Sequence, residues 1–490
     1  MIRQFLILAA PIWCAYGSAP SPYTSTTQAA TRQSPHKPTA FVDVTVLPMD
    51  SDRVLQHQTV IVESNRITSV TPTDKSVIPS DALRIDGRGK YLVPGLIDSH
   101  VHVRNIGDLL LYVANGVTTV RNMRGYAYHL RWRDSIANGT LLGPTLYTTS
   151  NYVEGDSAFS EGSLVVRSAD AAERVVTAMA REGYDFVKVY VMLDTAGFDG
   201  IIAAGKRHGL RVVGHVPWKV GMRHALAQHI ASIEHAENIY QTWFGSKIDP
   251  SGLAEMARAT HDAGVAVVPT LTVFRSVVLN ARAAPILDSL LRQPDLIYVE
   301  PSVRNGWKEN AQEFATSNRD DQPALLRRFQ AEYQFFQQIT RALHDAHATV
   351  LAGTDAPAAF ELPGKLLIDE LKIYVAIGFT PYEALSSATR VPGRFLDQQG
   401  TLGTVEVGKR ADLLLLDANP LDDISNLTRR SGVMLHGRWF PEGNLRAGLD
   451  QLASVYRNAG WRPSGGYPPG EYERLQAALE HFLTNLADGS

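Results

Sequence analysis

The sequence of 490 residues contains a single cysteine, Cys14. One thiol cannot form an intramolecular disulfide, and a thiolate metal site needs several cysteines. A disulfide framework is therefore excluded. Any bound metal ion has to be held by nitrogen and oxygen ligands.

The chain also has little net charge, because 47 Lys and Arg residues nearly balance 50 Asp and Glu residues. The basic residues are spread along the sequence and form no block of the kind that contacts a phosphate backbone. We therefore expect no nucleic-acid partner. The sequence leaves the oligomeric state open, a homo-oligomer included.

No apolar run is long enough to span the ~30 Å hydrocarbon core of a bilayer as a helix. The mostly apolar stretch at residues 5–16 follows Arg3 and precedes small residues at positions 17–19. This succession is typical of a secretory signal peptide. We expect residues 1–19 to be a signal peptide, and the protein to be periplasmic or secreted without a membrane span.

Composition divides the rest of the chain into segments. Residues 20–38 are rich in Ser, Thr, Pro and Gln, which favours a flexible leader. Short β-branched runs in residues 39–91 and 396–445 predict a small, discontinuous β-sandwich-like domain. Residues 446–490 are predicted as a helical extension, since Leu475, Leu479, Phe482 and Leu486 share one helical face.

Residues 92–395 alternate short apolar runs with amphipathic stretches, which predicts an α/β fold of the (β/α)8 TIM-barrel type. Helical spacing is clearest at 169–182, 198–208 and 253–263, and a long helical insertion is expected at 280–347. The eight predicted strands are 92–102, 117–121, 145–149, 186–191, 211–216, 232–235, 265–271 and 349–355. In such a barrel the active site lies at the C-terminal ends of the strands.

A His-x-His pattern, His100 and His102, ends the first predicted barrel strand. Side chains alternate along a strand with a period of two, so both imidazoles face the same side. Two neutral imidazoles on one face are a natural metal chelate. The pattern alone is weak evidence, since chance pairs occur on surface strands.

The surrounding sequence, Pro94-Gly-Leu-Ile-Asp-Ser-His-Val-His, resembles the first metal motif of the amidohydrolase superfamily, especially its imidazolonepropionase-like and Xaa-Pro dipeptidase-like branch. The resemblance implies further ligands at the ends of strands four, five, six and eight. The residues at these positions are Lys188, His215, His235 and Asp355. It further implies two divalent metal ions, a carbamate on Lys188 and a bridging hydroxide. Zinc suits such ligands, and manganese, cobalt and iron remain alternatives.

The resemblance implies a metal-dependent hydrolase that cleaves an amide or peptide-like C–N bond in a dipeptide, an N-acyl amino acid or a cyclic amide. Asp355 is the expected catalytic residue that accepts and returns a proton. Tyr190 and Tyr240 follow predicted metal ligands and are candidate substrate contacts, with packing roles as the alternative. A lactonase or organophosphate-type esterase, and a noncatalytic metal-containing binding protein, remain alternative functions.

We expect export of the protein to be followed by removal of residues 1–19, because the charged start, the apolar stretch and the small residues occur together. Mass spectrometry of the exported protein checks this expectation, and should find an N-terminus near residue 20. Exported protein that retains Met1 would contradict it.

Overall fold

The computed structural model describes residues 37–156, 158, 162–282, 286–317, 321–396, 400–462 and 466–488. The predicted signal peptide at 1–19 lies outside the described residues, as does the predicted leader at 20–38 apart from its last two residues. Within the described ranges, no helix combines the length and the apolar character needed to cross a membrane.

Strands from both ends of the chain pair in one eight-stranded sheet. Its members are β1 (Thr39–Val46), β2 (Leu55–Glu63), β3 (Arg66–Pro72), β4 (Leu83–Asp86), β5 (Tyr91–Pro94), β15 (Leu413–Leu416), β16 (Arg430–Leu435) and β17 (Arg438–Pro441). The order is β17-β16-β15-β5-β1-β2-β3, with β4 also paired to β1. Because β5 runs parallel to β1 and antiparallel to β15, it joins the N-terminal strands to the C-terminal ones. The expected pairing of the two ends is present, and the limits of a sandwich-like domain stay a prediction.

The remaining nine named strands are paired in parallel. They are β6 (Leu96–Val101), β7 (Val117–Asn122), β8 (Thr145–Thr148), β9 (Val153–Glu154), β10 (Leu164–Val165), β11 (Phe186–Val189), β12 (Arg211–Gly214), β13 (Ser232–Glu234) and β14 (Ala266–Val268). They form the ladders β6-β7-β8 and β10-β9-β11-β12-β13-β14. Every residue of β6, β7 and β11 is buried, as is usual where helices cover both faces of a parallel sheet. The predicted α/β class is confirmed.

The predicted first barrel strand, 92–102, divides into two strands at Gly95. β5, before the glycine, belongs to the eight-stranded sheet. β6, after the glycine, belongs to the parallel ladder β6-β7-β8. A Cβ at Gly95 would lie 2.2 Å from Oγ1 of Thr118, so the crossing point has no room for a side chain. The prediction merged the two strands because the sequence is apolar through the junction.

The predicted eighth strand, 349–355, is not a regular strand. Val350 of this segment makes an isolated parallel bridge to Val267 of β14. Ala356, the residue after the segment, makes another to Val101 of β6. The segment therefore lies between β14 and β6 and carries its residues to the C-terminal end of β6. The prediction was right about where residues 349–355 lie, and wrong that they form a regular strand.

Helices follow most of the parallel strands. They are α1 (Asp108–Ala114), α2 (Ala127–Ala137), α3 (Ala169–Glu182), α4 (Thr195–His208), α5 (Met222–Ala227), α6 (Ala236–Thr242), α7 (Leu253–Asp262), α8 (Leu271–Arg282), α9 (Leu287–Leu291), α10 (Pro301–Ser317), α11 (Gln322–Asp345), α12 (Lys365–Ala376), α13 (Pro381–Ser387), α14 (Arg390–Leu396), α15 (Glu442–Asn458) and α16 (Glu471–Asp488). The predicted helix at 169–182 matches α3, which Ser168 caps at its start and the left-handed Gly183 ends. α4 begins before the predicted residue 198, because the Asp194 side chain accepts a hydrogen bond from the backbone N–H of Gly197.

The predicted insertion at 280–347 is helical where the structure describes it, since it contains α9, α10 and α11. α11 packs into the main hydrophobic core through buried residues that include Phe335, Phe336 and Ile339. The C-terminal extension forms α15 and α16. Leu475, Leu479 and Phe482 of α16 are at most 4% exposed, which confirms the predicted apolar face.

We expect Gly353→Ala to lower the free energy of unfolding by about 1–3 kcal/mol, the usual cost of overpacking. An added Cβ would lie 2.5 Å from Cγ1 of Val268 and 2.8 Å from the backbone nitrogen of His100. Urea denaturation measures the effect. Gly443→Ala is the matched control, because a Cβ on this α15 residue would meet nothing within 4 Å. Equal stability of G353A and wild type would contradict the close approach of residues 349–355 to β6.

Candidate metal centre

The two histidines of the His-x-His pattern lie where β6 ends. His100 is the penultimate residue of β6 and His102 follows its last residue, so strand alternation directs both rings to one face. They are 0% and 5% exposed. Their Nε2 atoms lie 3.2 Å and 2.9 Å from Oδ1 of Asp355. The three side chains thus offer ligand atoms within 4.8 Å of one another.

Asp355 reaches the histidines from the segment between β14 and β6. Its φ is +58°, a left-handed conformation that costs energy for a residue with a side chain. The preceding Thr354 is fixed by Asp98 of β6, which accepts hydrogen bonds from Thr354 N at 3.1 Å and Oγ1 at 2.7 Å. Burial acts to raise the pKa of Asp355, but the neighbouring His100 and His235 outweigh it and hold the pKa well below its usual range. Asp355 is therefore an anion at neutral pH.

His215 and His235 follow directly after β12 and β13. Their ring centroids are 4.7 Å apart, and the ring of His235 lies 4.6 Å from that of His100. Nδ1 of His235 lies 2.7 Å from Oγ1 of Thr270. The ends of β6, β12 and β13 therefore bring the predicted histidine ligands together in one cluster.

Two unusual backbone conformations determine the directions of the His215 and His235 side chains. His235 has a φ of +72°, so it does not continue the alternation of β13. Before His215, Gly214 has a φ of +133°, and a Cβ there would lie 2.2 Å from the carbonyl oxygen of Val189. Only glycine fits that approach of β12 to β11. Strain at consecutive strand ends is common where a functional geometry is imposed.

Lys188 lies in β11, beside Val213 of β12, and is 1% exposed. It forms no salt bridge with any described residue. Burial lowers the pKa of Lys188 to about 8, although Glu234 and Asp355 act in the opposite direction. A substantial fraction of neutral amine is therefore present near neutral pH, and only the neutral amine is nucleophilic.

A buried ion pair lies against the cluster. Glu234, the last residue of β13, lies 2.8 Å from Nδ1 of His100 through its Oε2 atom. Arg121 of β7 donates to both carboxylate oxygens of Glu234, at 2.8 Å and 2.9 Å. All three side chains are 0% exposed.

Several buried ligand atoms in the cluster have no hydrogen-bond partner among the described residues. They include Nε2 of His100, Nδ1 of His215 and Oδ1 of Asp355. An unsatisfied buried polar atom costs about 1–3 kcal/mol. A divalent cation coordinated by these lone pairs would satisfy them, and imidazole nitrogen with carboxylate oxygen is a donor set that suits zinc and other transition metals. The residues present therefore fit a bound metal.

The two candidate substrate residues have different surroundings. The ring of Tyr190 makes an edge contact with His215 at a centroid distance of 4.4 Å and stacks on Tyr152 at 4.6 Å. Tyr240 packs instead against Phe335 and Phe336, and its hydroxyl donates to the backbone carbonyl of Ser246. The structure brings Tyr190, but not Tyr240, into contact with a predicted metal ligand, which is His215. A substrate contact of either residue stays a prediction.

Sequence reasoning missed the charged residues beneath the cluster, which are Asp98, Arg121 and Glu234. Each is a charged residue in a short, fully buried strand, and each is 0% exposed. Fully buried charges are rare unless they are paired, so this pattern was the available signal. Their partners come from distant strands, which no local pattern identifies.

Several solved structures are similar to this chain. No curated protein sequence matches the chain. Similar solved structures include a Xaa-Pro dipeptidase with methionine bound in its active site, with 19% identity and a TM-score of 0.63, covering 83% of this chain and 100% of the other. Bottromycin amidohydrolase has 25% identity and a TM-score of 0.69, covering 88% and 92%. Ochratoxinase from A. niger has 19% identity and a TM-score of 0.59, covering 83% and 96%.

The model of the amidohydrolase family matches residues 91–440, which is more than half of the chain. The match includes every predicted metal ligand and begins just before the Pro94–His102 motif that suggested the resemblance. The chain belongs to the amidohydrolase family.

Proposed function

We propose that this protein hydrolyses an amide or peptide-like C–N bond of a small molecule with the help of two divalent metal ions. The observation that carries the proposal is the buried cluster of His100, His102 and Asp355, whose ligand atoms lie within 4.8 Å of one another. His215, His235 and Lys188 adjoin this cluster, so ligands for a second ion lie beside those for the first.

We also infer that the parallel strands close into an eight-membered barrel. The ladders β6-β7-β8 and β10-β9-β11-β12-β13-β14 are connected by a bridge between Thr149 and Phe186. Residues 349–356 bridge β14 to β6 on the other side. A closed barrel explains why residues from β6, β11, β12 and β13 converge at one end.

The ligand assignment follows the geometry and the family. His100, His102 and Asp355 would hold one ion, and His215 with His235 would hold the second. Lys188 would contribute to both as a carbamate, because the neutral form of its buried amine can add carbon dioxide and release a proton to give an anion with two oxygens. Zinc is the proposed metal on the basis of the nitrogen and oxygen donors.

When bound, such ions lower the pKa of a water molecule towards neutrality and polarise the substrate carbonyl. Asp355 is placed for the proton transfers that remain. Its Oδ1 lies at the centre of the cluster, 3.2 Å from Nε2 of His100 and 2.9 Å from Nε2 of His102. It would accept a proton from the attacking water and return it to the leaving nitrogen.

Hydrolysis of a C–N bond is favoured over the alternatives by the family and by two of the similar structures, which are a dipeptidase and an amidohydrolase by name. A lactonase or an organophosphate-type esterase would use the same residues. A screen of the metal-loaded protein against dipeptides, N-acyl amino acids, cyclic ureides, lactones and phosphotriesters separates these classes. Turnover of lactones or phosphotriesters alone would overturn the C–N assignment, and no turnover of any class would favour a noncatalytic protein.

We expect elemental analysis to find about two divalent ions per chain when the protein is produced with ample metal and bicarbonate. The reason is that the cluster offers two adjoining sets of ligands and one shared lysine. Removal of the metal with a chelator should abolish activity, and metal with bicarbonate should restore it. A reproducible content of one ion per chain would contradict the two-metal proposal.

We expect Asp355→Asn to lower kcat by about 10² to 10⁴-fold, the usual contribution of general acid–base catalysis, while metal is partly retained. The amide keeps one oxygen but cannot accept the proton. Steady-state kinetics and metal analysis of the same preparation measure both effects. Asp81→Asn, an exposed substitution of the same chemistry, should behave like wild type. Near-normal kcat of D355N with metal bound would show that another group carries the proton.

A further inference from the structure

Glu234 and Arg121 form a fully buried ion pair that the proposed mechanism does not use. Both side chains are 0% exposed, and the guanidinium donates to both carboxylate oxygens. A buried pair of this kind is weak evidence for stability, because desolvation of two charges offsets much of their attraction. Its position against His100 suggests a different reason for its presence.

The contact between Glu234 and His100 determines which nitrogen of the imidazole is free. Oε2 of Glu234 lies 2.8 Å from Nδ1 of His100. A carboxylate can only accept a hydrogen bond, so Nδ1 carries the hydrogen, and the neutral ring that binds a metal then has its lone pair on Nε2. Nε2 is the atom that lies 3.2 Å from Oδ1 of Asp355. The carboxylate therefore presents the lone pair of His100 to the metal position.

Arg121 fixes this carboxylate relative to the strand that carries His100. Its Nε donates to the carbonyl oxygen of Ser99, the residue before His100, at 2.6 Å. Its Nη1 donates to Oγ of Ser232, which itself donates to Oε1 of Glu234. One guanidinium thus ties β6, β7 and β13 together directly beneath the imidazole.

Glu234 also immediately precedes His235, a proposed ligand of the second ion. In a regular strand, consecutive residues point to opposite sides. Here both approach His100, because the carboxylate of Glu234 is hydrogen-bonded to that ring and the ring of His235 lies 4.6 Å from it. The φ of +72° at His235 makes this double approach possible.

We infer that Glu234, held by Arg121, is a positioning residue for His100 and thereby determines how tightly the first metal ion is bound. The inference depends on the proposed metal-dependent function. Outer partners of metal-bound histidines fix the tautomer and the ring orientation, and their loss weakens metal binding by about 10–100-fold. Glu234→Gln should show this loss for one ion, while the ion held by His215 and His235 is retained.

The test is a cobalt titration of the full-length protein in buffers of defined free Co²⁺, read by bound metal per chain and by visible absorption of the bound ion. In wild type both ions should bind. In E234Q one ion should need about 10–100-fold more free Co²⁺ and the absorption of that ion should change. Glu370→Gln is the matched control, because Glu370 is equally buried but accepts its hydrogen bonds from the backbone of Leu271 and Thr272. E370Q should bind both ions like wild type.

The E234Q substitution leaves Arg121 without its counter-ion, and the variant could fail to fold for that reason. Two further variants keep the test decisive in that case. Arg121→Met combined with Glu234→Gln removes both charges and should show the same loss of one ion. Arg121→Lys keeps both charges but not the separate hydrogen bonds to Ser99 and Ser232, and should show a smaller loss.

The inference is overturned if folded E234Q binds both ions like wild type, or if E370Q loses metal to the same extent. It is also overturned if all three variants of the pair fail to fold while E370Q folds, because the pair is then purely structural. A wild-type protein that binds no cobalt would instead overturn the proposed function.

Discussion

The carboxylate of Asp355 lies between two buried imidazoles, and this contact constrains much of the chain around it. The carboxylate must arrive at the end of β6 from a segment that is far away in sequence. Gly353 allows the close approach, Asp98 holds Thr354, and Asp355 itself adopts a left-handed backbone conformation. Each of these features costs conformational freedom or strain, and together they fix one oxygen atom beside two nitrogen atoms.

The same principle extends beneath the cluster. Metal-binding histidines require a defined tautomer, and a defined tautomer requires an acceptor on the far side of the ring. In this protein the acceptor is the buried carboxylate of Glu234, which in turn is paired with the buried Arg121. Two fully buried charged side chains therefore lie against the proposed reaction site.

The His-x-His pair was accessible from the sequence, because it ends a recognisable apolar run. The family resemblance then implied His215, His235 and Asp355 as further ligands, and the structure brings these five residues together. The partners Arg121 and Glu234 were not predicted, since their interaction joins strands separated by more than a hundred residues. The division at Gly95 and the irregular segment at 349–355 were missed for a related reason. A hydrophobic pattern indicates that a residue is buried, but it does not indicate which sheet the buried residue belongs to.

The position of β5 has a consequence for how the molecule is assembled during synthesis. This strand continues through Gly95 into β6, which carries the histidine pair, but one of its two edges is covered by β15, whose register pairs Leu413 with Pro94. When a ribosome has completed all the proposed metal ligands, up to residue 355, it has not yet made that partner. Until residue 416 emerges, the strand leading into the histidine cluster keeps an open edge, and open strand edges in incomplete chains favour association with other chains. A strand made after all the proposed ligands therefore covers the edge of the strand that leads to the first of them.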